Sequence, residues 1–271
     1  MSNDSGQAAG FLRNWYFSLT IFFSSFLLFQ IQPILGKYIL PWFGGTSAVW
    51  TTCMMVYQFL LLAGYAYAHA LSGLETRKHV RIHFIVLAIS LAVFVCLWLQ
   101  WKTPITPGEG WRPNDSSLPV FRIVGLLTIC IGLPFIILSS TSSLVQKWYS
   151  MLNPGKSPYG FYMISNIGSM LALVSYPFVF EPRLRLLNQA LLWSVLYIAY
   201  LIMCAFCVSM VNRKGQAPAV PGAGRESPDL KTGRGDDRLP PAGIQLAWLF
   251  LSFLPCVLLM ATSTEMTQNV A

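Results

Sequence analysis

Long apolar runs separated by short polar breaks make up nearly all of this chain. The runs cover Trp15–Leu40, Thr46–Leu71, Ile82–Trp101, Leu118–Val145, Tyr159–Phe180, Ala190–Val211 and Ile244–Ala261. Each has the ~20 mostly apolar residues an α-helix needs to cross a bilayer. The pattern predicts an all-α, polytopic transmembrane helix bundle of about seven spans.

The breaks differ in kind. PWFGGT, residues 41–46, predicts a tight turn between the first two spans, and residues 102–117 form a Pro/Gly/Asp-rich loop. Residues 212–242 have almost nothing apolar to bury and carry Pro218, Pro221, Pro228, Pro240 and Pro241, a composition that predicts disorder. The expected organisation is therefore an N-terminal tail (1–14), a six-span bundle (15–211), a disordered linker (212–242), and a seventh span (243–271) that begins a second membrane half.

Composition fits a lipid solvent. The chain is 55% hydrophobic and 10% charged, whereas soluble domains average roughly 25% charged. A surface this apolar suits lipid, which demands no polar exterior. The net charge of +8 would raise nucleic-acid binding in a soluble protein, but here the cations sit between spans. Arg13, Arg77, Lys78, Arg81, Lys147, Lys156 and the six from Arg213 to Arg238 fall on the N-terminal side of the alternation. Lys37, Lys102, Arg112, Arg122, Arg183 and Arg185 fall on the other. The excess places the N-terminus and the linker in the cytoplasm, with the protein in the cell's inner (plasma) membrane. Trp15, Trp42, Trp101 and Trp148 lie near span ends, where aromatic belts form.

Polar residues inside the spans cluster. Span one carries Gln30, Gln32 and Lys37 around Pro33, and span two carries Gln58 and His69. Span four carries Ser139, Ser140, Thr141, Ser142 and Ser143, and span five Ser165, Asn166 and Ser169. Glu265 and Gln268 close span seven. Intramembrane polar groups are costly and turn toward the bundle interior. One reading is a substrate path with Gln30, Gln32, Lys37, Ser140, Thr141, Asn166 and Glu265 as binding residues. The other is hydrogen bonding between helices. Lys37 and Glu265 are either interfacial anchors or an ion pair across the mouth of the bundle. Small residues four apart (Gly64 with Ala68, Ser165 with Ser169, Gly168 with Ala172) predict close helix approach.

Several motifs drop out. Cys204-Ala-Phe-Cys207 lies inside an apolar span, away from any redox βαβ context. All six cysteines sit in apolar stretches, which argues against a disulfide framework. His79 and His83 share a helix face without a third metal ligand nearby and read as a juxtamembrane polar face. Gly222-Ala-Gly224 has Ser227 where a dinucleotide fingerprint needs its third glycine. The ten acidic residues form no compact catalytic pair, so no cofactor, metal site or complete active site is expected.

Six spans, a long linker and a further span resemble the first half of a major facilitator architecture plus one span. The segment GYAYAHALSGLETRKHVRIH keeps the basic residues of that family's motif between spans two and three and lacks its Asp. A more specific resemblance lies in FLLFQIQPILGKYILPWFGGTSAVWTTCMMVYQFLLLAGYAYAH (Phe26–His69), GLPFIILSSTSSLVQKWYS (Gly132–Ser150) and SPYGFYMISNIGSMLALVSYPFVFEP (Ser157–Pro182). Together these resemble the membrane portion of bacterial spermidine-synthase-like proteins, in which a major-facilitator-like bundle is fused to an aminopropyltransferase-like domain. MATSTEMTQNVA resembles a later stretch of that family more weakly. The resemblance implies a transporter-like membrane module that handles a small cationic metabolite such as a polyamine. Alternatively, it implies a non-transporting anchor or scaffold for the catalytic domain, or, as the reading with least behind it, an aminopropyltransferase. The catalytic half does not occur in these 271 residues, so the chain is either part of a longer product or a shortened relative. The implied partners are the lipid bilayer, the aminopropyltransferase-like domain and the metabolite, with no nucleic acid.

The charge asymmetry makes a direct prediction. A phosphatase that is active only outside the cytoplasm will be active when fused after Gly108 and inactive when fused after Gly215. The reverse pattern would invert the assigned topology.

Overall fold

The computed structural model describes residues 2–101, 103–106, 108, 119–153, 155, 157–215, 243, 244, 247 and 250, with side chains between 14 and 212. The described chain is helical and contains no strand. Its helices are α1 (Ser2–Phe43), α2 (Ser47–Ser72), α3 (Thr76–Gln100), α4 (Pro119–Leu152), α5 (Gly160–Ser175) and α6 (Leu186–Gly215). Between α5 and α6 lie a π-helical turn (Tyr176–Phe180) and a single turn (Glu181–Arg183). Six helical stretches are long and apolar enough to cross a membrane. The seventh expected span and the 212–242 linker fall almost entirely outside the described residues. The chain divides into two units, Met1–Ala217 and Pro218–Ala271, and the six helices make up the first.

Boundaries differ from the hydropathy pattern where polar residues are helical. The N-terminal tail continues α1 without a break back to Ser2. Helix α3 starts at Thr76, six residues before the expected Ile82, and so takes in Arg77, Lys78, His79 and Arg81. The cations there are exposed, while His79, Val80, His83, Leu87, Ser90 and Phe94 form one buried stripe. That is the 3.6-residue period of a helix with one face in a core. The turn after α1 is tight as expected. Gly44 has φ +89°, and the Thr46 hydroxyl accepts from the Val49 amide to cap α2. Lys147 of α4 donates to the Ser72 carbonyl at the end of α2, satisfying one of that helix's free acceptors.

Helix α1 is central. Of its most apolar window 61% is buried, against 17% for α5. It packs on α4, α5 and α6, while α2 packs on α4 and α3 on α6. Two glycines set the closest approaches. A Cβ on Gly64 of α2 would lie 1.8 Å from Ser139 Oγ and 2.8 Å from the Ile136 carbonyl of α4. A Cβ on Gly168 of α5 would lie 2.8 Å from the Phe22 carbonyl of α1. Ala68 and Ala172, each four residues further on, are buried as well. The small-residue spacing read from the sequence therefore marks real helix contacts.

Gly64→Ala will destabilise the bundle by about 1–3 kcal/mol, as overpacking does. Adding Ser139→Ala will recover only part of the loss, because the Ile136 carbonyl stays in place. Gly160→Ala, with open space around it, serves as the control. Chemical unfolding in detergent measures all three, and a Gly64→Ala variant as stable as wild type would contradict the packing.

Candidate functional site

Among the described residues, the buried side-chain atoms without partners belong to Asn14, Gln30, Tyr176 and Gln189, and two of these, Gln30 and Tyr176, lie on α1 and in the turn after α5. The seam between α1 and α5 is closely packed at one level, where Ser25 Oγ and Ser165 Oγ are 2.7 Å apart and Gly168 meets the Phe22 backbone. Further along, Lys37 forms an ion pair with Glu181, and its Nζ lies 5.8 Å from the centroid of the Tyr176 ring. The pair's side chains are 39% and 43% exposed, so the pair lies at the surface of the bundle.

Along α1, Gln30 comes between Ser25 and Lys37. It is seven residues before Lys37, on the same helical face and about 10 Å along the axis at α-helical rise. Gln30 is 2% exposed, and neither its Oε1 nor its Nε2 has a hydrogen-bond partner. The buried Tyr176 hydroxyl has none either. Buried polar groups are normally bonded, because leaving one unmet costs about 1–3 kcal/mol. Pro33, inside α1, adds to this by removing the N–H that would bond the Phe29 carbonyl.

The π-turn shapes the mouth of the seam. The Glu181 amide donates to the Tyr176 carbonyl, an i→i+5 bond. In an α-helix, residues five apart point about 140° away from each other at 100° per residue. The wider turn brings Tyr176 and Glu181 to one side, where Lys37 reaches both. Such turns recur at functional sites.

The sequence-predicted residues divide among several surroundings. Gln30 and Lys37 lie two turns apart on the same side of α1. Gln32 is half-buried, and its backbone carbonyl accepts from the Tyr57 hydroxyl at 3.4 Å. Ser140 and Thr141 are buried on α4, and both donate to the Ile137 carbonyl, at 2.8 and 2.7 Å. Thr141 also bonds the Tyr200 hydroxyl of α6. These hydroxyls bond their own helix and its neighbour. Asn166 is exposed on α5 and makes no side-chain hydrogen bond among the described residues. Glu265 lies outside the described residues, and the acidic partner of Lys37 is Glu181.

A second cluster went unread in the sequence. His79 and His83, expected on a juxtamembrane polar face, are 2% and 0% exposed. The Trp148 indole donates to His79 Nε2 at 2.7 Å. His83 Nδ1 lies 2.8 Å from the Tyr67 hydroxyl, and its Nε2 lies 3.6 Å from Cys204 Sγ. A neutral imidazole serves both, one nitrogen donating and the other accepting. Nearby, Ser90 bonds Tyr197 at 2.7 Å, and Cys207 lies 3.3 Å from the Thr20 hydroxyl. The helical period through 79, 83, 87, 90 and 94 was the available signal. Arg77, Lys78 and Arg81, interleaved with it, hid that period from a hydropathy window. Among the described residues no group of His, Cys, Asp and Glu is placed to hold a metal. No family model matches this chain, and no curated protein or solved structure does either.

His83→Leu will lower stability by about 1–2 kcal/mol, because Tyr67 and Cys204 lose their partner inside the core. His83→Gln, which keeps a donor and an acceptor, will recover more than half of that. Unfolding in detergent distinguishes this from an imidazole without structural weight, for which both variants would match wild type.

Proposed function

We propose that this chain is the transporter-like membrane module of a spermidine-synthase-like protein, and that it handles a small cationic metabolite such as a polyamine along the α1–α5 seam. The observation that carries this reading is Gln30, an amide with donor and acceptor both unmet at 2% exposure. In hydrocarbon such a group is retained against a cost, and a passing polar solute supplies its missing partners. The part-exposed Lys37–Glu181 pair gives the seam a charged entrance. The six-helix unit, with α1 and α4 the most buried, supports the first half of a major facilitator arrangement. With the N-terminus in the cytoplasm, the Lys37 end of the seam faces outward.

A second reading has its own support. Ser90, Ser140, Thr141, His83 and Cys204, buried on α3, α4 and α6, are each bonded to a neighbouring helix or to their own backbone. That is the pattern of a rigid scaffold, which would anchor an aminopropyltransferase-like domain at the membrane without moving solute.

Uptake of radiolabelled polyamine into proteoliposomes separates the two. Under the transport reading wild type accumulates label, and Gln30→Leu reduces uptake about tenfold or more while its thermal stability holds or rises, since an unmet buried amide is removed. Wild-type protein that moves no polyamine would favour the scaffold.

A further inference from the structure

Lys37, Tyr176 and Glu181 form a corner with a definite chemistry. A carboxylate and an aromatic face converge on one primary ammonium, that of Lys37. These are the two groups that recognise an ammonium ion, one by charge and one by the ring quadrupole. The corner exists because the π-turn places Tyr176 and Glu181 on the same side. The buried Tyr176 hydroxyl beside it still lacks a partner.

We infer that the Tyr176–Glu181 corner is a binding site for a primary alkylammonium group, and that Lys37 occupies it as a tethered competitor. The inference deepens the transport reading above and rests on it for its biological setting, although the binding step stands on its own geometry. Lys37 is held by a half-exposed ion pair, and such pairs are weak. An incoming ammonium therefore exchanges with it at little cost. The displaced lysine swings toward solvent on its flexible stem, as long cationic side chains do at a membrane interface. Once Lys37 has left, the ligand's next acceptor on the same face of α1 is Gln30, whose Oε1 has no partner. Loading from the Lys37 end thus requires the resident cation to leave, and it returns when the ligand moves on.

Two measurements on the full chain in detergent test this with butylammonium as the probe. In the first, Lys37 of the wild-type protein is acetylated with a soluble ester, and its rate of labelling is followed by mass spectrometry relative to that of exposed Lys78 in the same sample, so that ester consumed by the probe amine cancels. Displacement predicts severalfold faster labelling with butylammonium than with sodium chloride at equal ionic strength. Equal rates in the two salts would overturn the inference, because only screening would be acting. In the second, butylammonium affinity is measured by calorimetry. Lys37→Met should bind about threefold to fivefold more tightly, the range set by the small worth of an exposed pair, and Glu181→Gln should bind too weakly to detect. A folded Lys37→Met that binds no more tightly than wild type would overturn it as well. If labelling and affinity behave as stated but proteoliposomes move no polyamine, the corner stands and the transport reading falls. If uptake occurs with neither effect, transport stands and the corner falls.

Discussion

Inside a bilayer each helix has to satisfy its own backbone, because hydrocarbon offers no donor or acceptor. That constraint orders the polar chemistry of this protein. Where the helical ladder is complete, polar side chains turn to it or to each other. Ser140 and Thr141 both return to the Ile137 carbonyl, and Ser194 returns to Ala190. Pro33 in α1 and the π-turn after α5 interrupt the regular ladder close to two of the buried groups without partners, Gln30 and Tyr176, whereas Pro134 in α4 interrupts it beside hydroxyls that are bonded.

The two polar regions of the first unit therefore differ in kind. Around His83 each group has a neighbour, and the resulting web ties α2, α3, α4 and α6 together. Aromatic rings reinforce it, with Trp193 and Tyr197 stacked at 8° between planes and Phe94 against Tyr197 at 5.0 Å. A filled network of this sort fixes helix positions and leaves nothing over for a solute. Gln30 of α1 and Tyr176 in the turn after α5 have donors and acceptors to offer, and the Lys37–Glu181 pair beside Tyr176 is part-exposed. The packing of α5 agrees with this division. It touches α1 through Ser165 and Gly168 and α4 through Phe161, and much of the rest of it is uncovered within the described residues, Asn166 included.

Most of the architecture was legible in hydropathy. Six of the predicted spans correspond to helices, because twenty apolar residues in a row leave few alternatives. The glycine and alanine spacing also pointed correctly at close contacts, because absent side chains are what let backbones approach. The errors lie where a polar residue and a helix coincide. Thr76 to Arg81 look like a loop until the period of His79, His83 and Leu87 is considered apart from the arginines between them. The partner of Lys37 was not readable. Tyr176 and Glu181 lie on different faces of any regular α-helix, and nothing in YPFVFEP announces a π-turn. Gln30 was singled out from its position beside Pro33, yet whether its amide would find a partner depended on neighbours far away in sequence.

The π-turn also has an evolutionary meaning. A turn of this type is what one extra residue produces when it is accommodated within a helix. Removing one residue between Tyr176 and Phe180 would restore an ordinary α-helix at little expense in backbone bonding. Glu181 would then stand four residues from Tyr176, about 40° around the helix axis, so the two would stay on one side. The extra residue is thus compatible with the corner only as a π-turn: the same sequence wound as a regular α-helix would point Glu181 about 140° away from Tyr176. A chain one residue shorter across this heptapeptide would carry the same corner on an ordinary α-helix, with its membrane profile unchanged.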